Sequence, residues 1–368
     1  MPRQRRRLVD ISRVYDVLTR RAPSILRGMR IFLLALLLST STVSTGEGQD
    51  GAWVTYRLPG GDVYRIVPDG QSPPENVSTG IDALSQGADA WLNVSPDGRW
   101  LVLETERFHP DCSGWACLAV VSADLSQGEA IEVEGQVVHP EGFSAIDSSG
   151  DLVVYPVAGP SHVLDLFAVR RLGGVWNAPV NLTATSPYQW NFSPAVSQDG
   201  SRVVFDCGDE PYGAVGTSIC EVGTDATALR IVAEPDDLGI GLVALHHPDY
   251  EPDGDIVFEG DDGTEELWRI AGGAGTPEKI SSDYGNDNSP CALPDGRIAS
   301  LWLNRPGGTG VHELKVMSED GLSYDMLLID TDVFDVGLGC GGAGVSSPLF
   351  ADGFESGDTS AWSTTSGP

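Results

Sequence analysis

The stretch Asn93-Val-Ser-Pro-Asp-Gly-Arg-Trp-Leu-Val-Leu-Glu104 decides the fold, because degraded copies of it recur along the chain. It joins a short strand, a tight turn ending in glycine and a strongly hydrophobic strand. In such a turn proline presets φ, aspartate bonds the local backbone and glycine takes positive φ. Further copies begin at Ile146, Val196, Tyr250 and Ala292. The spacing of about 50 residues indicates an internal repeat.

The turn residues themselves are predicted to be structural. Four of the five turns carry an Asp-Gly pair, namely Asp97 and Gly98, Asp199 and Gly200, Asp253 and Gly254, and Asp295 and Gly296. In the remaining copy, Asp147-Ser148-Ser149 precedes Gly150.

Each turn is followed by three strand-like segments in a constant order. The second strand of each unit is apolar on both faces, which suits a sheet that packs against a neighbour on either side. Fourth strands are predicted, for example, at residues 75–80 (ENVSTG) and 130–135 (AIEVEG). Four short antiparallel strands repeated every 40–50 residues are typical of a β-propeller blade.

The two ends of the repeat region complement each other. Residues 52–80 supply strands two, three and four of a first unit but lack strand one, whereas residues 332–342 are placed as an extra strand one. We therefore predict an all-β, six-bladed β-propeller closed by a C-terminal strand that joins the N-terminal blade. Such closure removes open sheet edges.

The phrase SPDGRWLVLETER, residues 95–107, and its copies resemble the repeat of TolB-like β-propellers. The same repeat builds the propeller of prolyl-oligopeptidase-type enzymes. The resemblance covers about 290 residues and implies a WD40-like propeller fold. In that family propellers serve as protein-docking modules, as gates on peptidases or occasionally as lyases. The matching turn residues are structural there, so the resemblance transfers no active site.

The repeat also predicts how the six cysteines pair. Cys112 and Cys117 lie between strands two and three of one blade, and Cys207 and Cys220 flank the same hairpin two blades later. Cys291 lies on the first strand of blade six and Cys340 on the closing strand beside it. We predict the disulfides Cys112–Cys117, Cys207–Cys220 and Cys291–Cys340, the last of which would staple the ring shut.

The N-terminus reads as a secretory signal peptide. A basic flank precedes the apolar run at residues 31–38, and small residues follow it. The run is too short to span a membrane, which takes about 20 residues. We assign residues 1–46 to the signal, with Met29 as an alternative start, and residues 47–345 to the propeller. The protein is thus expected to be exported to the periplasm, the cell surface or the medium.

The tail, residues 346–368, differs in composition from the blades. Its phrase DGFESGDTSAWS looks like a segment found at the ends of some large secreted bacterial proteins. A sorting or processing tag, a vestige of a sugar-binding jelly roll and an acidic disordered tail are all open readings.

The net charge of the protein limits the kinds of partner that it can bind. The 368 residues carry a formal net charge of −31, so binding to phosphate backbones is disfavoured. The hydrophobic share of 41% is that of a globular protein. No membrane span is expected once the signal is removed, and the protein is expected to be a monomer.

Motifs for chemistry are few. The sequence has no Gly-x-Ser-x-Gly, His-Glu-x-x-His, Cys-x-x-Cys, phosphate loop or dinucleotide-binding glycines. His246, His247 and Asp249 could reach the channel mouth as ligands or as a general base, although neighbours on a strand point to opposite faces. The segment Asp283-Tyr-Gly-Asn-Asp-Asn288 has the density of acids and amides of a calcium loop, without the spacing of one. No other cofactor is expected.

The sequence therefore favours an exported, non-catalytic propeller that binds a protein, peptide or glycan through one face of the ring. The alternative is an enzyme of the propeller channel, such as a metal-dependent lactonase or a polysaccharide lyase. A third hypothesis is a structural module that presents its C-terminal tag. Fold alone implies none of these functions.

Overall fold

The computed structural model describes residues 51–342, other than 115, 161, 211–215, 239–243, 262–263, 282–285 and 336. The predicted signal peptide and the tail lie outside the described residues.

The described chain forms six antiparallel sheets, each a blade of a β-propeller. Blade 1 contains β1 (Trp53–Arg57), β2 (Val63–Ile66), β3 (Glu75–Asn76) and the closing strand β27 (Gly339–Gly341). Blade 2 contains β4 (Asp89–Val94), β5 (Trp100–Thr105), β6 (Cys117–Ser122) and β7 (Gly128–Ala130). A separate hairpin of β8 (Glu132–Val133) and β9 (Gln136–Val137) follows it. Blade 3 contains β10 (Ala145–Ile146), β11 (Leu152–Val157), β12 (Asp165–Leu172), β13 (Val175–Trp176) and β14 (Val180–Asn181).

The last three blades have four strands each. Blade 4 contains β15 (Trp190–Val196), β16 (Arg202–Gly208), β17 (Ser218–Gly223) and β18 (Arg230–Ala233). Blade 5 contains β19 (Ala244–Tyr250), β20 (Ile256–Asp261), β21 (Glu265–Ile270) and β22 (Glu278–Lys279). Blade 6 contains β23 (Asn286–Ala292), β24 (Ile298–Leu303), β25 (Glu313–Met317) and β26 (Tyr324–Leu328). The one described α-helix is α1 (Val77–Ile81), and single 3-10 turns lie at Pro110–Cys112, Pro235–Leu238 and Ala271–Gly273.

The ring closes as predicted. Strand β27 pairs antiparallel with β1, with Cys340 opposite Val54, and so becomes the first strand of blade 1. The first strands of successive blades contact one another around the whole ring and enclose a central channel. A Cβ on Gly341 would lie 2.0 Å from the carbonyl oxygen of Ser95, and one on Gly339 would lie 2.2 Å from Oδ1 of Asn93. The closing strand is glycine-rich because it lies tightly against β1 on one side and the first strand of blade 2 on the other.

Two predicted fourth strands are shorter than expected. In blade 2 the fourth strand is β7, and most of residues 130–135 belongs instead to the added β8–β9 hairpin. In blade 1 the strand β3 is only two residues long, because Asn76 caps α1 by accepting the Thr79 N–H at 2.8 Å. Val77 and Ile81 then pack on the apolar face of blade 2.

The core lies between the blades. Val54 and Tyr56 of blade 1 pack against Leu301 and Leu314 of blade 6, and equivalent clusters fill the other interfaces. Strands that are apolar on both faces thus bury one face on each neighbour, as the sequence indicates.

The antiparallel order gives the ring two different faces. The turns between first and second strands, and the hairpins between third and fourth strands, lie on what we call the turn face. The hairpins between second and third strands, and the connections between blades, lie on the opposite loop face. On the turn face the Ser95 hydroxyl donates to Asp97 at 2.7 Å, and Gly98 has a φ of +72°. The turn residues therefore have the predicted structural role in this blade.

All three predicted disulfides are present. Cys112–Cys117 and Cys207–Cys220 each join the second-to-third hairpin region of a single blade. Cys291–Cys340 joins the first strands of blades 6 and 1 across the seam of the ring. Among the described residues, no helix has the length and apolar character needed to cross a bilayer.

Candidate functional site at the channel mouth

The first strands of blades 4, 5 and 6 each contain a bulge that begins at a residue followed by proline. Ser193, His247 and Ser289 have φ angles of +47°, +49° and +48°, and the strand register shifts at each of them. In a bulge the extra residue bends the strand and changes the direction of its side chains. The signal in the sequence is a proline six residues before each turn glycine, at Pro194, Pro248 and Pro290.

Buried acids on the second strands hold the chain of the following blade. The Ser289 N–H donates to Oε2 of Glu259 at 3.0 Å, and the Gly142 N–H donates to Oε1 of Glu104 at 3.0 Å. Asp206 occupies the corresponding place in blade 4, beside the backbone amide of His247. These acids therefore fix the loop-face ends of the first strands, which form the mouth of the channel.

His247 lies at the centre of this arrangement. Its Nδ1 is 3.1 Å from Oε2 of Glu259. Burial alone would lower the pKa of His247, but the hydrogen bond and charge of Glu259 raise that pKa to about 9. Burial raises the pKa of Asp206, on the other side of His247, to about 8. The pair of His247 and Glu259 is thus an imidazolium and a carboxylate at neutral pH.

The other two predicted site residues lie close by. The His246 ring is buried, and its centroid is 6.2 Å from that of His247. Because the bulge interrupts the strand alternation, both histidines lie near Glu259 rather than on strictly opposite faces. Burial lowers the pKa of His246. Asp249 lines the channel and accepts the Ala292 N–H at 2.8 Å, and burial raises its pKa to about 7.

The channel is narrow. A cavity of about 40 Å³ lies at the level of the bulges, and residues of all six blades line it, including Asn93, Phe143, Ser193, His247, Asp249 and Leu338. A volume of this size holds a few water molecules. The channel at this level is therefore too small to enclose a ligand larger than a few water molecules.

Four carboxyl side chains lie close together on the loop face, three on the second and third strands of blade 5 and one in the segment before the closing strand. We call Glu259, Asp261, Glu265 and Asp335 the acidic mouth. Asn288 Nδ2 donates to Oε2 of Glu265 at 3.0 Å, and the Ser289 hydroxyl donates to Oδ1 of Asp335 at 2.8 Å. Burial and the nearby charge of Glu259 raise the pKa of Glu265 to about 7. The uncharged side chains of Asn288 and Ser289 thus contact Glu265 and Asp335, while the His247 imidazolium pairs with Glu259.

The predicted calcium segment is only partly described. Residues 283–285 lie outside the described residues, and Asn286, Asp287 and Asn288 begin β23. Asp287 Oδ1 lies 2.7 Å from the Nζ of Lys315, and both side chains are buried. Within the described part of the chain, no group of three or more His, Cys, Asp or Glu side chains has an arrangement that could hold a metal ion.

The buried acids predict an acidic optimum of stability. In the folded state Glu104, Asp206, Asp249 and Glu265 hold protons up to a pH of about 7 to 8, and His247 holds one up to about 9. The unfolded chain releases them from about pH 4 for the acids and 6.5 for the histidine. The free energy of unfolding should therefore fall as pH rises from about 4 to about 9.

We expect the melting temperature, followed by circular dichroism, to be about 5 °C higher at pH 5 than at pH 8.5. Below pH 4 the trend should reverse, because hydrogen bonds lower the pKa of turn carboxyls such as Asp199. A variant with Glu104→Gln and Asp206→Asn should show a flatter profile between pH 5 and 8.5. A wild-type melting temperature that rises toward pH 8.5 would contradict this assignment of protons.

Comparisons with known proteins give the fold. No protein-family model matches the chain, and no curated protein matches it in sequence. Among solved structures, TolB from Acinetobacter baumannii superposes with a TM-score of 0.56 and 12% identity, over 79% of this chain and 66% of that one. A protein described as a TolB from Agrobacterium tumefaciens superposes with a TM-score of 0.52 and 16% identity, over 78% of this chain and 92% of that one. A chain of a nidogen–laminin complex superposes with a TM-score of 0.54 and 10% identity, over 80% of this chain and 99% of that one. The fold is a TolB-like β-propeller.

Proposed function

We propose that this chain is an exported, non-catalytic β-propeller that binds a protein or peptide on its loop face, around the channel mouth. The observation that carries the proposal is the acidic mouth. Partly exposed carboxyl side chains from blade 5 and from the segment before the closing strand meet on the loop face beside Asn288 and Ser289 of blade 6, and the central cavity has room for a few water molecules. A surface of this kind suits a macromolecular partner. Loop-face crosslinks to a glycan, in the photo-crosslinking experiment described below, would replace the protein or peptide partner by a glycan.

Two further observations support the proposal. One matching structure was solved as a complex of nidogen with laminin, so a chain of this fold takes part in a protein assembly there. The three disulfides are typical of proteins in oxidising compartments outside the cytosol, which agrees with export.

The proposal is tested by photo-crosslinking from both faces in the producing cells. Benzoylphenylalanine is placed at an exposed loop-face position, Glu141 or Asp332, or at an exposed turn-face position, Gln198 or Glu319. We expect discrete adducts from the loop-face positions only. Adducts from the turn face alone, or none from either face, would contradict the proposal.

The alternative is an enzyme of the channel mouth, and the hydrogen-bonded pair of His247 and Glu259 is the observation that favours it. A metal-dependent enzyme would gain stability from its metal, since a ligand at 100 times its dissociation constant adds about 2.7 kcal/mol.

For a binding module we expect the melting temperature of residues 47–368 to stay within about 1 °C on addition of calcium, manganese or EDTA. A rise of several degrees with either metal, reversed by EDTA, would favour the enzyme and lead to tests with lactone and uronate substrates.

A further inference from the structure

Arg57 occupies a place in blade 1 that other blades fill with a buried acid. In blade 2, Val102 packs against blade 3, and Glu104 two residues later accepts an N–H from the chain leading into that blade. In blade 1, the Thr55 hydroxyl donates to the Leu92 carbonyl of blade 2 at 3.2 Å, so Arg57 two residues later lies on the same side of its strand. A guanidinium has donors only. Arg57 therefore cannot hold the following blade as the acids do.

The guanidinium of Arg57 has no acceptor among the described residues. Its Nε is buried without a hydrogen-bond partner, and no described carboxylate forms an ion pair with it. The other described arginines each donate to at least one carboxylate, hydroxyl or carbonyl oxygen: Arg65, Arg99, Arg107, Arg170, Arg171, Arg202, Arg230, Arg269, Arg297 and Arg305. Arg57 as a whole is half-buried at the loop-face end of β1, and only its Nε is fully enclosed, so the two terminal nitrogens are accessible from solvent. Because a buried donor without an acceptor is destabilising, the fold itself does not account for this arginine.

The surroundings of Arg57 leave its charge uncompensated. Its Cζ lies 5.2 Å from the centroid of the Phe334 ring, which covers one side of the guanidinium. Glu104 is close enough for its charge to influence the pKa of Arg57, but the two side chains form no ion pair. Burial raises the pKa of Glu104 to about 8, so this carboxyl is mostly protonated at neutral pH. The loop face of a protein of net charge −31 thus carries a guanidinium that has no anionic partner among the described residues.

We infer that Arg57 binds a carboxylate of the protein or peptide partner, through hydrogen bonds from the terminal nitrogens of its guanidinium. The inference rests on the proposed function and names one contact by which the partner is recognised. A carboxylate accepts two parallel N–H bonds from a guanidinium, and such charge-assisted bonds are stronger than neutral ones. The half-buried Phe334 ring offers an apolar contact for the residue that carries the carboxylate.

The charges around Arg57 favour a ligand with a single carboxylate over a polyanion. The exposed Glu141 lies near enough to Glu104 to raise the pKa of that carboxyl. A polyuronate carries a charge on every sugar and would be repelled by Glu141 and by the net charge of the protein. A peptide can present one carboxylate, either from its C-terminus or from an aspartate or glutamate side chain.

The test titrates the exported protein with three short peptides and follows binding by saturation-transfer difference NMR. The peptides are N-acetyl-Gly-Leu-Phe with a free C-terminal carboxylate, the C-terminal amide of the same peptide, and N-acetyl-Gly-Asp-Phe amide. The variant Arg57→Met removes the donors and keeps an unbranched side chain beside Phe334. The matched control, Arg202→Met, removes an exposed arginine of the turn face. Both variants change the net charge by the same amount, so general repulsion by an acidic protein affects them equally.

We expect the wild type to bind at least one of the two carboxylate peptides and to bind the plain amide more weakly. Arg57→Met should bind the carboxylate peptide about tenfold more weakly than the wild type, and the control should change less than twofold. The peptide that binds identifies the source of the carboxylate as a chain end or an acidic side chain. Arg57→Lys, which keeps the charge but not the fork of donors, should lose less affinity than Arg57→Met. Melting curves that match the wild type establish that folding is unchanged.

Several outcomes would overturn the inference: equal binding of the plain amide, equal losses in Arg57→Met and Arg202→Met, or dissociation constants above about 10 mM for all three peptides. Binding of methyl glucuronate that depends on Arg57, without binding of either carboxylate peptide, would overturn the peptide in favour of an acidic glycan. Loop-face crosslinks without an effect of Arg57→Met on peptide binding would overturn the carboxylate contact alone and leave the proposed function standing.

Discussion

Replacing Lys315 with methionine should lower the free energy of unfolding by about 3–5 kcal/mol, because it leaves a buried carboxylate without its cation. The Lys315 side chain is fully buried on β25, and its Nζ lies 2.7 Å from Oδ1 of Asp287. The ammonium also lies 4.4 Å from the ring centroid of Trp302 and 5.1 Å from that of Tyr324. Urea unfolding of the purified variant measures the loss.

The chain offers a matched control, since it contains only one other lysine. Lys279 is 39% exposed and pairs with Glu266 at the surface, so Lys279→Met should cost less than about 1 kcal/mol. A double variant with Lys315→Met and Asp287→Leu should recover most of the lost stability, because apolar groups then replace the whole pair. Equal effects of Lys315→Met and Lys279→Met would contradict the buried pair.

Removing the seam disulfide by Cys291→Ala and Cys340→Ala should cost about 4 kcal/mol. This bond closes the longest loop of the three, with a sequence separation of 49, and so restricts the unfolded chain most. It also secures β27, whose paired ladder with β1 is only three residues long. Urea unfolding of the wild type and of the variant, both without reductant, measures the difference in the free energy of unfolding.

The other two disulfides serve as internal controls. Their sequence separations are 13 for Cys207–Cys220 and 5 for Cys112–Cys117, which predicts losses of about 3 and about 2 kcal/mol. If removal of Cys291–Cys340 costs less than removal of Cys112–Cys117, the seam bond does not stabilise the ring in the way described here.

The sequence predicts the architecture well because its signals are local. A turn such as Ser95–Gly98 and the hydrophobic strand after it are visible within a dozen residues. Five such units, a first unit that lacks strand one and an orphan first strand around Cys340 lead directly to the closed ring. The cysteine pairs follow from the same repeat, since each pair occupies defined strands of the blades.

The site could be predicted only in part, because its geometry depends on distant segments. His247 and Asp249 line the channel wall and His246 is buried beside His247, but the alternation rule misplaces the two rings because it takes no account of the bulge before Pro248. The burial of Lys315 was missed, since lysine is ordinarily exposed and its partner lies 28 positions away on another strand.

The acidic mouth has no sequence signature at all. Glu265 belongs to blade 5 and Asp335 to the segment before the closing strand, and only closure of the ring brings them to the same end of the channel.

The most direct test of the account is hydrogen–deuterium exchange of the propeller with the partner captured by crosslinking. We predict that binding slows exchange in the loop-face segments at residues 257–261, 264–268 and 330–335. Exchange in the turns at residues 95–99, 197–202 and 293–297 should be unchanged. Protection confined to those turns, with the loop-face segments unaffected, would contradict the claim that this propeller binds its partner around the channel mouth.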